Sequence, residues 1–182
     1  MRSLQLPLSI IFSFGALSQS PVLTMISDGD CSGGTPKVVE VFADGTVDFS
    51  LYSLEIQSNG NTTWGSAQNL GGLGIVTNEF AYIYGSSGAS SFASEYPSIS
   101  SLTIAAGGAV NFNGDDRIRI IEDATGNVID QFGEEGVDGS GQAWEYLDGF
   151  AKRLTLTTPN GTFNEAHWEY NKSALNNLGV CQ

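Results

Sequence analysis

The sequence is poorest in the residues that most often do chemistry. It has one histidine, His167, so a two-histidine metal centre is excluded. Lys and Arg together number 7 against 20 Asp and Glu, giving a formal net charge of −13. Nucleic-acid binders carry basic stripes, and a chain this acidic is repelled by phosphate backbones and by anionic lipid surfaces. There is no G-x-S-x-G elbow, no phosphate-cradling glycine loop and no Cys-His arrangement. Only two cysteines occur, Cys31 and Cys181, which allow a single pairing. A bridge between them closes a loop of about 150 residues, worth roughly 4–5 kcal/mol in the chain-entropy model. The alternative is two separate buried thiols.

Long apolar runs are also missing, with one exception. Met1 and Arg2 precede LQLPLSIIFSFGAL, an apolar stretch of signal-peptide length, and Ala16 and Ser18 supply small residues before a cut ahead of Gln19. Gln5, Pro7, Ser9 and Ser13 interrupt the run, which is short of the about 20 apolar residues a spanning helix needs. The expected organisation is a cleaved leader over 1–18, then one secreted domain over 19–182 with no membrane insertion once the leader is gone.

What the sequence has in quantity is glycine, 23 in all, and short apolar or alternating runs between turn residues. The runs are 36–42, 47–57, 79–84, 109–112, 117–121, 128–132, 151–157 and 167–170. Strands of this length at regular spacing indicate an all-β sandwich or barrel. Asn113-Gly114 and Ala124-Thr125-Gly126-Asn127 are expected to turn two hairpins. Ile118 and Ile120 should face the core, and Arg117 and Arg119 the solvent. A short helical turn is expected at 90–96, where Phe92 and Tyr96 share a face and Pro97 ends it.

Asp28, Asp30, Ser32 and Gly33 occupy the first, third, fifth and sixth places of a calcium loop. The EF-hand reading fails because place twelve is Val39 rather than Glu, and because Pro36, Val38 and Val39 specify a strand. The leading reading is a turn that delivers Cys31 to its partner. A non-EF calcium site using Asp28, Asp30 and a distant carboxylate stays open.

Further along, the blocks GGTPKVVEVF, DFSLYSLEI, NFNGDDRIRI, VIDQFG, GQAWEYLDGFAKR and PNGTFNEAHWEY follow one another in an order that resembles the lamin-tail-like domain of secreted bacterial and algal proteins. The resemblance covers Met25 to roughly Leu178. It implies an immunoglobulin-like β-sandwich with no catalytic centre of its own. Such a domain often accompanies an extracellular nuclease or phosphatase, or occurs among adhesive surface modules. The cysteine pair departs from the bacterial pattern.

The remaining candidates are weighed individually. Asp115-Asp116 has the look of a metal-dependent pair, yet after Asn-Gly it is more economically a turn accepting backbone N–H groups, with Asp116 near Arg117 and Arg119 in surface ion pairs. Glu134, Glu135 and Asp138 form either a loose calcium site or a solvated loop, and calcium is the one cofactor left open. Trp144 and Trp168 should be core, whereas Tyr146 beside Asp148 is the candidate exposed binding platform. His167 is expected to be packed or on the surface rather than catalytic. Asn61, Asn160 and Asn171 head N-x-Ser/Thr sequons, glycan acceptors if the source is eukaryotic. The expected function is a secreted, non-enzymatic module that binds an extracellular protein, a surface polysaccharide or copies of itself. Two alternatives are a helper of a metal-dependent hydrolase and a calcium-stabilised carbohydrate binder.

Overall fold

A computed structural model describes residues 19–99, 102–107, 110–155 and 157–172. The fold is all-β. Strands β1 (Ser20–Cys31), β2 (Thr35–Asp44), β7 (Phe80–Tyr84), β8 (Thr103–Ala105), β11 (Phe150–Arg153) and β12 (Trp168–Asn171) form a six-stranded sheet in the order β12-β11-β1-β2-β7-β8. Pairing is antiparallel except between β7 and β8. A second, antiparallel sheet takes β4 (Tyr52–Gln57), β5 (Gln68–Asn69), β9 (Arg117–Glu122) and β10 (Val128–Phe132) in the order β10-β9-β4-β5. Strands β3 (Thr46–Asp48) and β6 (Ile75–Thr77) pair separately.

Side chains of period two face each other between the layers. Leu23, Ile26, Val39, Val41 and Ile83 from the large sheet, and Leu54, Ile118, Ile120 and Phe132 from the small one, are all fully buried in one core. Phe132 is the hub of its aromatic end, with ring centroids 4.8 Å from Trp168, 5.4 Å from Tyr146 and 5.8 Å from Trp144 in edge-on arrangements. Each such pair contributes about 0.5–1.5 kcal/mol beyond area burial. Trp144 and Trp168 are core, as expected.

The helix expected at 90–96 is α1, Ala89–Glu95, and it ends ahead of Pro97. It lies over the outer face of the large sheet, stacking Phe92 on Tyr84 at 4.3 Å and on Tyr96 at 5.2 Å. The stretch 47–57 is broken by a 3₁₀ turn, Phe49–Leu51, that Asp48 caps through the N–H of Ser50. The hairpin at 124–127 joins β9 to β10.

Two expectations are corrected. Strand β1 was not foreseen, although it sits between β11 and β2. Its burial runs in blocks rather than alternating, because a strand covered on both faces has no polar face to show period two. Asn113-Gly114 does not turn a hairpin, since no ladder joins 110–113 to β9. The Asn113 carbonyl instead accepts the N–H groups of Asp115 (2.7 Å) and Asp116 (3.0 Å). Gly114 then docks against the chain at 146–147, where a Cβ would come within 2.1 Å of the Leu147 nitrogen. Among the described residues, no helix is long and apolar enough to cross a membrane.

Candidate functional site

The fold brings three of the acids chosen from sequence to one end of the sandwich. Asp28 descends from β1 and Asp115 and Asp116 sit on the turn before β9. All three are buried. Asp28 Oδ1 accepts Lys37 Nζ at 2.8 Å and its Oδ2 accepts the Gly114 N–H at 3.1 Å. Asp116 takes the N–H of Asn59 on Oδ1 (2.7 Å) and that of Asn113 on Oδ2 (3.0 Å). Asp115 Oδ2 accepts Ser140 Oγ at 2.7 Å, while its Oδ1 has no hydrogen-bond partner among the described residues. Burial raises the Asp28 carboxyl above its ordinary 3.8 although Lys37 pulls the other way. Asp116 is raised for the same reason, against its two N–H donors.

Asp28 and Asp116 therefore hold backbone N–H groups, and both oxygens of each are occupied. Among the described residues no group of three His, Cys, Asp or Glu is arranged to hold a metal ion. Asp30 is felt at Glu95 of α1, whose carboxyl is raised by burial first and by the Asp30 charge second.

The expected surface ion pairs around Arg117 are a correction. Arg117 is fully buried, because residues 58–61 and 133–138 fold over this end of the small sheet. Its guanidinium donates to the carbonyls of Asn61 (2.9 Å), Glu134 (3.2 Å) and Val137 (2.8 Å), tying the two loops together. Arg119 behaves differently: it pairs with Glu55 at 2.6 Å and lies 3.9 Å over the Trp64 ring. In the 133–141 loop Glu134 and Glu135 are exposed, and Asp138 accepts the Ser140 N–H.

The Tyr146–Asp148 platform is also overturned. Tyr146 is 0 % exposed, its N–H donates to the Gly114 carbonyl and its hydroxyl to the Asp116 carbonyl. Burial first, then the charges of Asp116, Asp28 and Asp115, hold its phenol well above the ordinary value. Asp148 is half-buried with φ 49°. His167 is half-buried, and its ring Nε2 meets the Asn164 side-chain amide at 3.0 Å. Asn61, Asn160 and Asn171 are all exposed, as an acceptor of any glycan must be. No cysteine among the described residues is free, and Cys181 lies outside them.

A second polar junction, absent from the sequence reading, ties the layers on the other side. Asp130 of β10 receives Arg153 Nη2 on both oxygens (2.7 and 2.6 Å), the Leu23 N–H (2.9 Å) and the Asn160 N–H (3.1 Å). Arg153 Nε closes the circuit on the Leu23 carbonyl at 2.6 Å. The β1 ladder shifts register between Leu23 and Met25, so these side chains take the backbone groups that the ladder releases.

A groove of about 550 Å³ opens on the outer face of the large sheet, beyond the part that α1 covers. Its floor is the cross-strand row Val22, Phe42 and Phe80, with Leu154 on the wall. The Phe42 and Phe80 rings are 5.0 Å apart, and Phe80 is 45 % exposed. Glu40 and Asp44 flank Phe42 along β2, and Lys152 lines the opposite side. The signal for it was in the sequence: in EVFAD, Glu40, Phe42 and Asp44 share the face opposite to buried Val41 and Ala43.

No protein-family model matches this chain, and no curated protein matches it significantly.

Proposed function

We propose that the chain is a secreted, non-catalytic β-sandwich of the immunoglobulin-like, lamin-tail type, stapled by Cys31 and Cys181, that serves as an extracellular binding or adhesive module. The observation that carries this reading is the commitment of both oxygens of Asp28 and of Asp116 to Lys37 and to backbone N–H groups. A hydrolytic or metal role requires carboxylate oxygens free to face a ligand, whereas these two are removed from water and satisfied internally. The exposed sequons and the open apolar groove fit an extracellular surface that meets a partner.

A pull-down from culture medium or cell surface, with the mature protein as bait, tests the reading. Capture of a defined protein, polysaccharide or second copy supports it, and a monomer that captures nothing contradicts it.

One observation favours the second reading, a helper of a secreted metal-dependent nuclease or phosphatase: Asp115 Oδ1 is buried without a partner among the described residues. Incubation with nucleic acid and phosphoesters in magnesium or calcium separates the two. Turnover abolished by Asp115→Ala would replace the proposal.

A further inference from the structure

We infer that the Phe42–Phe80 groove is a docking site for a basic, partly apolar peptide segment of a partner, taking a Lys or Arg side chain over the paired rings and between the Glu40 and Asp44 carboxylates. This rests on the reading of the chain as a binding module and names the chemistry of what it binds. Four observations support it.

The groove is lined mainly by apolar surface and has the size of a ligand site. Val22, Phe42 and Phe80 form one cross-strand row over three strands. Exposed aromatic faces attract cations electrostatically, and Phe80 offers one at 45 % exposure. Among the described residues the Asp44 side chain is exposed without a partner, and the Glu40 carboxylate holds the Thr24 hydroxyl (2.8 Å) and the Tyr82 phenol, which is pushed up to about 12 by burial and by Glu40.

The charge pattern of the described residues points the same way. Lys37 is taken by Asp28, Arg119 by Glu55, Arg153 by Asp130, Lys172 by Glu145, and Arg117 by three carbonyls. Among the described residues Lys152 is the one such side chain without an acceptor. It lies on the far side of the groove, across β1 from Glu40, and its cross-strand neighbour is Glu169. The other described cations are held internally, so the surface field is negative and a low-dielectric cleft focuses it, with Lys152 and Arg153 lining the side away from the carboxylates. The carboxylates stand on the side of the rings.

The test uses fluorescence anisotropy with the mature protein and a dye-labelled hexapeptide alternating lysine with leucine. A second peptide has glutamate in place of lysine. The lysine peptide is expected to bind. Phe80→Ser and Asp44→Asn should each weaken it about fivefold to tenfold, the scale of one cation–π or ion-pair contact. Lys152→Glu should tighten it, and Glu135→Gln, a distant exposed acid, should leave it unchanged. All four variants lie at exposed positions, and unchanged melting temperatures verify their folding.

Preference for the glutamate peptide, or equal weakening by Glu135→Gln and Asp44→Asn with no effect of Phe80→Ser, would overturn the inference. The broader proposal fails separately. If the pull-down still captures a partner and Phe80→Ser does not reduce capture, only the groove assignment falls. If nothing is captured, the module reading falls with it.

Discussion

The molecule treats its carboxylates in two opposite ways. At the end of the sandwich Asp28 and Asp116 are buried, and each oxygen faces a donor supplied by the chain itself. On the outer face of the large sheet Glu40 and Asp44 stand beside bare aromatic rings. The difference lies in where the donors are. A turn such as Asn113–Asp116 exposes N–H groups that no ladder satisfies, and nearby carboxylates fill that need. A strand face has its N–H groups committed to the ladders, so Glu40 takes only the Thr24 and Tyr82 hydroxyls and Asp44 is left for solvent or for a partner.

The largest expected effect is at the interlayer junction. Asp130→Ala leaves Arg153 buried without its counter-charge and orphans the Leu23 and Asn160 N–H groups, so a loss of about 3–5 kcal/mol is expected in denaturant titrations. Since Asp130 and Arg153 act as one unit, Arg153→Met in the Asp130→Ala background should cost less than the sum of the single changes. An additive result would mean that the pair does not work as a clamp.

Next comes the turn. Asp116→Ala unpairs the Asn59 and Asn113 N–H groups and should cost about 2–4 kcal/mol, whereas Asp116→Asn keeps one acceptor and should recover roughly half of that. The same change at Asp44 should leave stability within about 0.5 kcal/mol. Equal costs at both sites would erase the contrast between the two regions.

The pH response is smaller. Asp28, Asp116 and Asp130 all have carboxyls raised above 3.8, by burial in each case. A raised folded-state value means that the fold binds these protons more tightly than the unfolded chain does. Their stabilisation is full below 3.8 and is lost as pH rises through the folded values. Acidification also relieves self-repulsion in a chain of net charge −13. Tm should therefore hold or rise between pH 7.5 and pH 5, and a fall over that window would contradict the assignment. The smallest effect is at the rim: Lys172→Ala breaks the 2.6 Å pair to Glu145, whose lysine side is half exposed, and should cost at most about 1 kcal/mol.

Much of the architecture was legible because turn residues and period-two patterning are local signals. RIRII alternates as written, and Ile118 and Ile120 do face the core. The local code failed where tertiary contacts overrode it. Arg117 has the position of a solvent-facing residue, and only two loops remote in sequence bury it. Tyr146 reads as a platform beside Asp148 until Gly114 closes over it. Asn113-Gly114 has the chemistry of a hairpin turn, but its donors are claimed by Asp28 and Asp116. The β1 strand lacks alternation because both of its faces are covered. The Asp130–Arg153 clamp joins residues 23 apart through a bulge in a third strand, which no spacing rule announces. The groove was legible in part, in the outward Glu40, Phe42 and Asp44, but its Phe80 half comes from another strand.

The central claim is that the clustered acids of this chain support backbone rather than a metal ion or a reaction. Thermal melting of the protein with EDTA and with millimolar calcium, on the wild type and on Asp116→Asn, tests it most directly. Coincident wild-type curves, together with a lowered Tm for Asp116→Asn that calcium leaves unchanged, are the predicted result. A rise of several degrees with calcium that disappears in Asp116→Asn would contradict it.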